Sequence, residues 1–132
     1  MLPALTPELS VTRPGRSLAF YCDVLGFSRL YARPDEGFAC IEMDGAVLML
    51  DQLAVGRDWI TAPLQAPLGR GMNIQIQLDD LTPLLGRLAG AAVPLFQPLE
   101  RKSYQAGERT VTQLQFCVQD PDGYLLRFCQ PV

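Results

Sequence analysis

The feature that most constrains this 132-residue chain is an internal duplication. A predicted strand, a helix and three further strands occur twice, and an offset of 67 residues places Leu9 on Ile76. Towards the end of each copy, an offset of 78 places the dipeptide Asp44-Gly45 on Asp122-Gly123. Self-similarity at a nearly constant offset indicates repeated structural units. The sequence therefore predicts that two copies of one β-α-β-β-β module build the protein.

Both copies show the same change of hydrophobic period. Residues 8–12 and 73–78 alternate apolar and polar side chains, as a half-buried strand does. Each is followed by apolar residues at positions i, i+3, i+4 and i+7, which is the stripe of an amphipathic helix. We expect Pro14 in the first turn of the first helix, and Asp79 or Asp80 as the cap of the second. Three short strands are predicted after each helix, at 28–32, 38–43 and 46–50 and at 95–99, 111–118 and 124–129.

These boundaries predict a single α+β domain, 1–132. Module one spans about 6–51, a connecting loop spans 52–71 and module two spans about 72–130. The second copy is 11 residues longer, and the extra length is expected near Glu100–Arg109. Neither module can hide both faces of its sheet alone, so we expect curved, barrel-like mixed sheets with the helices outside.

Composition excludes several classes of chemistry. The chain has no histidine, which excludes Ser–His and Cys–His nucleophiles and histidine-bound metals. Its net charge is −3 and it has no basic stripe, so we expect no nucleic-acid partner. No apolar run approaches the roughly 18 residues of a membrane span, and residues 1–7 lack the features of a signal peptide. We therefore expect a cytoplasmic protein with no membrane partner, whose cysteines at 22, 40, 117 and 129 are buried free thiols.

Two motifs resemble those of a known superfamily. Residues 17–21 (Ser-Leu-Ala-Phe-Tyr) precede Leu25-Gly26-Phe27, and Asp-Pro-Asp-Gly-Tyr-Leu-Leu-Arg-Phe occupies 120–128. On a doubled β-α-β-β-β unit, this combination resembles the vicinal oxygen chelate superfamily. That superfamily includes glyoxalase I, extradiol dioxygenases, fosfomycin-resistance enzymes and bleomycin-resistance proteins. The resemblance covers nearly the whole chain and implies the vicinal oxygen chelate fold.

The resemblance also locates four metal-ligand positions. Enzymes of the superfamily hold a divalent metal there, and in this chain the positions fall at Thr6 (or Pro7 if the register slips), Met49, Asn73 and Arg127. A guanidinium keeps its proton at working pH, and a thioether is unsuited to Mg²⁺, Mn²⁺ or Fe²⁺. The resemblance therefore implies no metal, no cofactor and no catalytic residue. This pattern is similar to the bleomycin-resistance branch, whose members are dimers that sequester the antibiotic unchanged.

Strand alternation separates a helix-facing row from a polar row on each sheet. The polar row can offer hydrogen bonds to a large polar ligand. Arg127 can bind a ligand anion or instead pair with Glu8, and Trp59 can stack on a planar ligand group or instead plug the core or a dimer contact. The predicted ligand-binding residues are Phe38, Met49, Trp59, Asn73, Gln75, Tyr104, Gln115 and Arg127.

The sequence thus predicts a metal-independent protein that holds a drug or drug-like small molecule in the crevice of a homodimer. Bleomycin is the ligand that the resemblance suggests. Two alternatives stay open. One is a divergent lyase or dioxygenase whose metal is held by Glu8 with Asp51 or Glu42. The other is a protein that binds a metabolite unrelated to bleomycin.

Overall fold

The computed structural model describes residues 2–57 and 59–132. The chain divides into two compact units, Met1–Leu68 and Gly69–Val132, and each contains one four-stranded mixed sheet. The predicted α+β class and the repeated β-α-β-β-β unit are therefore confirmed. Within the described residues each sheet is open, with two edge strands, and the barrel-like shape is not confirmed.

The first unit places a helical segment between its first two strands. Its elements are β1 (Glu8–Val11), α1 (Pro14–Leu18), a π-helical segment (Ala19–Leu25), β2 (Ser28–Arg33), a 3₁₀ turn (Pro34–Glu36), β3 (Phe38–Met43) and β4 (Ala46–Gln52). The strand order is β1-β4-β3-β2, with β1 parallel to β4 and the other pairs antiparallel. This order makes Glu8 and Met49 neighbours in register.

The helical segment departs from the predicted stripe. Pro14 begins it, as its fixed φ favours. After Leu18 the backbone is π-helical, so its hydrogen bonds span five residues and not four. Phe20 and Leu25 are buried, whereas Leu18 and Cys22 of the predicted stripe are only half-buried. Of the predicted stripe, Tyr21 and Leu25 are therefore fully buried and the other two residues only partly buried.

The second unit repeats the topology of the first. Its elements are β5 (Asn73–Gln77), α2 (Thr82–Gly90), β6 (Gln97–Ala106), β7 (Arg109–Gln119) and β8 (Leu125–Pro131). The order is β5-β8-β7-β6, with β5 parallel to β8. Asp80 Oδ1 accepts the Thr82 N–H at 3.0 Å, and this bond lowers the pKa of the Asp80 carboxyl. Neither α2 nor any other helix in the described part of the chain has the length and apolar character to cross a bilayer.

The extra length of the second unit is a strand extension. β6 runs to Ala106, well past its predicted end at 99, whereas β7 begins at Arg109, close to its predicted start at 111. The two strands pair from Gln97 to Ala106, and a two-residue turn joins them where the extra length was expected. β7 pairs with β8 only from Gln113 onward, so the tip of the hairpin is a two-stranded ribbon. The hydroxyls of Ser103 and Thr112 are hydrogen-bonded across it at 2.8 Å. The predicted boundaries were wrong here because polar residues dominate both faces of the tip and no apolar alternation marks the strands.

The apolar rows form the core of each sheet. Val11 and Leu50 in the first sheet, and Phe116, Leu126 and Phe128 in the second, are at most 1% exposed. The rings of Phe116 and Phe128 stack with centroids 5.6 Å apart. The sidedness predicted from strand alternation is therefore confirmed for these rows.

The Asp-Pro-Asp-Gly turn between β7 and β8 is built around a buried carboxylate. Asp120 is 5% exposed, and its Oδ1 accepts the N–H groups of Asp122 at 2.9 Å and Tyr124 at 3.0 Å. Gly123 N–H donates to the Asp120 carbonyl at 3.0 Å and closes the turn. This turn brings β8 back antiparallel to β7.

All four cysteines are free thiols, as predicted. Cys40 and Cys129 are buried, whereas Cys22 and Cys117 are half-buried, so the prediction of full burial was right for two of them.

Candidate functional site

The second sheet carries a polar face on the side opposite its apolar row. Gln75 and Arg127 are neighbours in register on β5 and β8, and Gln115 and Glu100 are neighbours on β7 and β6. The predicted binding residues Asn73, Gln75, Tyr104, Gln115 and Arg127 belong to this face, which we call the polar face. The structure therefore brings together five of the eight predicted residues.

Gln115 organises one half of the polar face. It is 5% exposed, and its Nε2 donates to Glu100 Oε1 at 2.9 Å and to the Tyr104 hydroxyl at 2.6 Å. Its Oε1 accepts Gln113 Nε2 at 2.9 Å. A buried amide with all its partners present rigidifies the strands that carry it. Glu100 was not singled out from the sequence, since only the β6–β7 register shows that it faces Gln115.

Arg127 organises the other half. Its Nε donates to Asn73 Oδ1 at 3.0 Å, and Gln113 Nε2 reaches Gln75 Oε1 at 3.5 Å. Arg127 is half-buried on β8, which has β5 on one side and β7 on the other. The partner that the sequence suggested for this arginine was Glu8, and the amide of Asn73 was not foreseen.

Two cysteines, Cys117 and Cys129, lie on the same side of the second sheet as Arg127. Cys117 is its neighbour in register on β7, and Cys129 follows two residues later on β8. Burial raises the pKa of both thiols, although the positive charge of Arg127 opposes this shift. A thiol with a raised pKa stays protonated at neutral pH, and the protonated form neither attacks electrophiles nor ligates metals.

The first unit contains a cavity of about 230 Å³. Predicted residues Phe38 and Trp59 line it, together with the carboxylates Glu8 and Asp51. Its other lining residues are Arg33, Glu36, Val55, Gly56 and Arg57. We call it the first-unit cavity. It combines aromatic walls with charged groups of both signs, which is the lining of a site for a polar organic ligand.

An arginine side chain lies over the ring of each aromatic residue of this cavity, Phe38 and Trp59. The Arg33 guanidinium lies 3.8 Å from the ring centroid of Phe38, and the Arg57 guanidinium lies 4.6 Å from that of Trp59. Arg33 also forms an ion pair with Glu36. Phe38 is buried, whereas Trp59 is 63% exposed. Sequence analysis missed both arginines, although Arg33 and Glu36 are three residues apart around Pro34 and thus at the spacing of a helical ion pair.

Glu8 has a perturbed carboxyl in this cavity. Desolvation raises its pKa, and the negative charge of Asp51 raises it further, whereas Arg33 lowers it. The two carboxylates sit on adjacent parallel strands, because Ser10 of β1 is in register with Asp51 of β4. The cavity therefore favours a ligand with a positively charged group, which would reduce the repulsion between the carboxylates of Glu8 and Asp51.

Met49, the remaining predicted residue, has a packing role. It lies against a buried cluster of Phe38, Cys40 and Val47 and is not among the residues that line the first-unit cavity. The Thr6 hydroxyl donates to the Pro3 carbonyl at 3.3 Å. Neither side chain of this unit is arranged as a metal ligand.

The residues that the resemblance predicts at the four metal positions do not fit a divalent metal. The Thr6 hydroxyl is bonded to a backbone carbonyl, and the Met49 thioether packs in an apolar cluster. The Asn73 amide oxygen accepts a hydrogen bond from the guanidinium of Arg127, which is the fourth residue. Among residues 2–57 and 59–132, no three His, Cys, Asp or Glu side chains gather where they could hold a metal ion. The alternative ligand Glu42 accepts the Gly45 N–H at 2.7 Å in the β3–β4 turn.

Comparison with known proteins places this geometry in a family. No curated protein matches the chain significantly. TioX from Micromonospora sp. ML1 has a similar fold, with a TM-score of 0.74 at 21% identity over 98% of this chain and 99% of that one. A glyoxalase/bleomycin resistance protein/dioxygenase from Alicyclobacillus acidocaldarius gives 0.67 at 17% identity over 98% and 91%.

A superfamily member from Vibrio splendidus 12B01 is 42% identical over 96% of this chain and 97% of its own, with a TM-score of 0.44. A family model described as Glyoxalase/Bleomycin resistance protein/Dioxygenase superfamily matches residues 5–128. The match spans both β-α-β-β-β units. The chain therefore belongs to the glyoxalase/bleomycin resistance protein/dioxygenase superfamily.

Proposed function

We propose that this protein is a metal-independent receptor for a small organic molecule. The observation that carries the proposal is the 3.0 Å hydrogen bond from Arg127 Nε to Asn73 Oδ1. These residues occupy two of the four positions at which enzymes of the superfamily hold their metal. A fixed guanidinium repels a cation, and the amide oxygen that could ligate one already accepts a hydrogen bond.

Two surfaces of the protein support the binding of a ligand without a covalent reaction. The first-unit cavity offers the exposed ring of Trp59, and the polar face offers amides held in place by Gln115. An exposed aromatic ring supplies contact area, and pre-positioned amides supply directional hydrogen bonds at little entropic cost. Such groups recognise a ligand and leave its covalent structure unchanged.

Bleomycin is the first ligand to test, because the superfamily includes bleomycin-resistance proteins. We propose that the protein sequesters it, or a drug of similar character, as a cytoplasmic homodimer. The open edges of both sheets support the dimer, since an unpaired edge strand presents free backbone donors and acceptors. Light scattering after size-exclusion chromatography measures the oligomeric state, and a monomer at micromolar concentration would refute the dimer.

Calorimetric titration with metal-free and with copper-loaded bleomycin tests the ligand. We expect saturable heat at micromolar bleomycin for the wild-type protein. The Trp59→Ala variant is expected to bind about fivefold more weakly, since loss of one aromatic contact removes on the order of 1 kcal/mol.

The matched control is Phe96→Ala. Phe96 and Trp59 are both 63% exposed, and Phe96 lies outside the first-unit cavity. We expect the control to bind like the wild type. Absence of heat with the wild-type protein at high protein concentration would exclude bleomycin as the ligand.

A smaller metabolite is the second candidate. The first-unit cavity measures about 230 Å³, below the roughly 300–1,000 Å³ of pockets for drug-sized ligands. Native mass spectrometry of protein purified under gentle conditions identifies a retained organic molecule. A retained metabolite, with no bleomycin heat, would favour this candidate over the drug.

A further inference from the structure

We infer that Arg127, Asn73 and Gln75 form a subsite for the carboxylate of an organic ligand. This subsite rests on the proposed function and specifies the chemistry of the ligand. We call these three residues the donor row. Asn73 and Gln75 lie two residues apart on β5, and Arg127 is in register with Gln75 on β8.

In the donor row, the two amide oxygens accept hydrogen bonds from neighbouring side chains, whereas most of the N–H groups do not donate to the part of this unit that the structure describes. Asn73 Oδ1 accepts from Arg127, and Gln75 Oε1 accepts from Gln113. Within the described residues of the second unit, the bonds of this row use Arg127 Nε and the two amide oxygens. The Arg127 Nη atoms, and Nδ2 and Nε2 of the exposed Asn73 and Gln75, are left for water or a ligand. Side chains that present N–H donors from one face of a sheet are complementary to an oxyanion.

The hydrogen bond to Asn73 also pre-orients the guanidinium. The bond from Nε to Asn73 Oδ1 at 3.0 Å restricts the orientation of the guanidinium and leaves the edge formed by its two Nη atoms for a ligand. A guanidinium edge matches a planar carboxylate with two parallel hydrogen bonds. Asn73 is thus a positioning residue, and Arg127 is the binding residue.

Charge balance favours a monoanion. Among the described residues of its own unit, the half-buried Arg127 forms no ion pair, and its row neighbours are amides and protonated thiols. The carboxylate of the polar face, Glu100, is bonded to Gln115, and its negative charge disfavours a ligand with two negative charges. One carboxylate neutralises one guanidinium, whereas a phosphate dianion leaves an uncompensated charge partly out of water. The subsite therefore selects carboxylate over phosphate monoester.

The test uses ¹⁵N-labelled full-length protein and three probes of one size: benzoate, benzamide and phenyl phosphate. The side-chain Nε–Hε signal of Arg127 is identified by its loss in Arg127→Lys. We expect benzoate to shift this signal saturably, benzamide to leave it unchanged, and phenyl phosphate to bind more weakly than benzoate. Equal responses to benzoate and benzamide, no saturable response to benzoate, or tighter binding of phenyl phosphate would overturn the subsite.

Variants distinguish specific recognition of the carboxylate by the Arg127 guanidinium from nonspecific attraction to the protein's positive charges. Arg127→Lys keeps the charge and loses the planar edge, so we expect benzoate affinity to fall about tenfold. Arg101→Gln removes one arginine from β6 outside the polar face and should bind benzoate like the wild type. Equal losses in Arg127→Lys and Arg101→Gln would show nonspecific attraction and would refute the subsite. Asn73→Ala should weaken benzoate and broaden the Arg127 signal, whereas an unchanged signal would remove its positioning role.

The carboxylate of Glu8 is the alternative partner for Arg127 and would compete with a ligand. In Glu8→Gln, we expect the Arg127 signal of the free protein to stay in place. Its displacement would show an internal ion pair at Arg127 and would overturn the proposal. Failure with benzoate alongside a successful bleomycin or metabolite experiment removes the subsite and leaves the proposed function standing. A stoichiometric metal would remove the proposed function whatever benzoate does.

Discussion

Ser17 is a buried residue whose side chain works against stability. It is 1% exposed on α1, and in the described part of the chain its hydroxyl has no hydrogen-bond partner. Burying an unsatisfied polar group costs about 1–3 kcal/mol. We expect Ser17→Ala to raise the free energy of unfolding by about 1 kcal/mol, because it removes this cost and favours the helix.

Urea unfolding measures this change. The control is Ser103→Ala, which removes the exposed hydroxyl bonded to Thr112 at 2.8 Å. It should leave stability unchanged or slightly lower. A destabilised Ser17→Ala protein would mean that the hydroxyl has a favourable role in the folded state.

Glu8 gives stability a dependence on pH. Its folded-state pKa is raised by desolvation and by Asp51, so the folded protein holds this proton more tightly than the unfolded chain. Stability therefore falls as pH rises from about 4.3, the ordinary value for Glu, through the raised pKa, and the loss persists above it. We expect Glu8→Gln to raise Tm at pH 7 by no more than a few degrees, and to match the wild type near pH 3.

Thermal unfolding at a series of pH values checks this dependence. Glu108→Gln removes the same charge in the exposed turn between β6 and β7. It should not reproduce the pH-dependent difference. A Glu8→Gln advantage that grew toward acid pH would contradict the assigned direction.

At the scale of elements, glycines fix the loops that precede and join the strands. Gly69 has φ +73°, and a Cβ there would lie 2.4 Å from Tyr124 Cδ1. Gly107 in the β6–β7 turn has φ +68° and open space around it. We expect Gly107→Ala to cost about 1–2 kcal/mol from its backbone alone, and Gly69→Ala about 1–3 kcal/mol more from the clash.

Denaturant titration of the two variants separates backbone strain from steric overlap. Both positions have nearly the same φ, so their difference reports the contact with the Tyr124 ring. Equal losses in the two variants would show that the ring moves aside at no cost.

The elements also show how far sequence patterns reach. Alternation identified the buried rows, such as Phe116 and Phe128. Asp80, one of two predicted caps, accepts the Thr82 N–H, although the N-cap residue of α2 is Leu81. The π-helical segment was missed because its apolar residues also fit an α-helical stripe. The extra length of the second unit was expected near 100–109, but its strand structure was missed because the tip is polar, with Ser103 facing Thr112.

Part of the candidate site followed from the same patterns. Asn73, Gln75, Gln115 and Arg127 were found because they alternate with the core row, whereas Tyr104 was chosen as an aromatic wall. The arginines at 33 and 57 and Glu100 were missed, because a charge beside a ring or an amide depends on cross-strand register and loop path. Neither can be deduced from local spacing.

At the scale of the whole molecule, one repeated topology carries two different chemistries. The first-unit cavity is lined by carboxylates and by aromatic rings that contact arginines, whereas the second unit presents amides and a guanidinium bonded to Asn73. Neither unit groups its donors for a divalent ion within the described residues. Duplication thus preserved the strand framework while the side chains diverged.

Elemental analysis by inductively coupled plasma mass spectrometry tests the absence of a metal centre most directly. The protein should be purified without chelators and measured after size-exclusion chromatography. We predict far less than one transition-metal ion per chain, because Arg127 and Asn73 are bonded to each other at 3.0 Å. One equivalent of manganese, iron, nickel or zinc per chain would contradict the account.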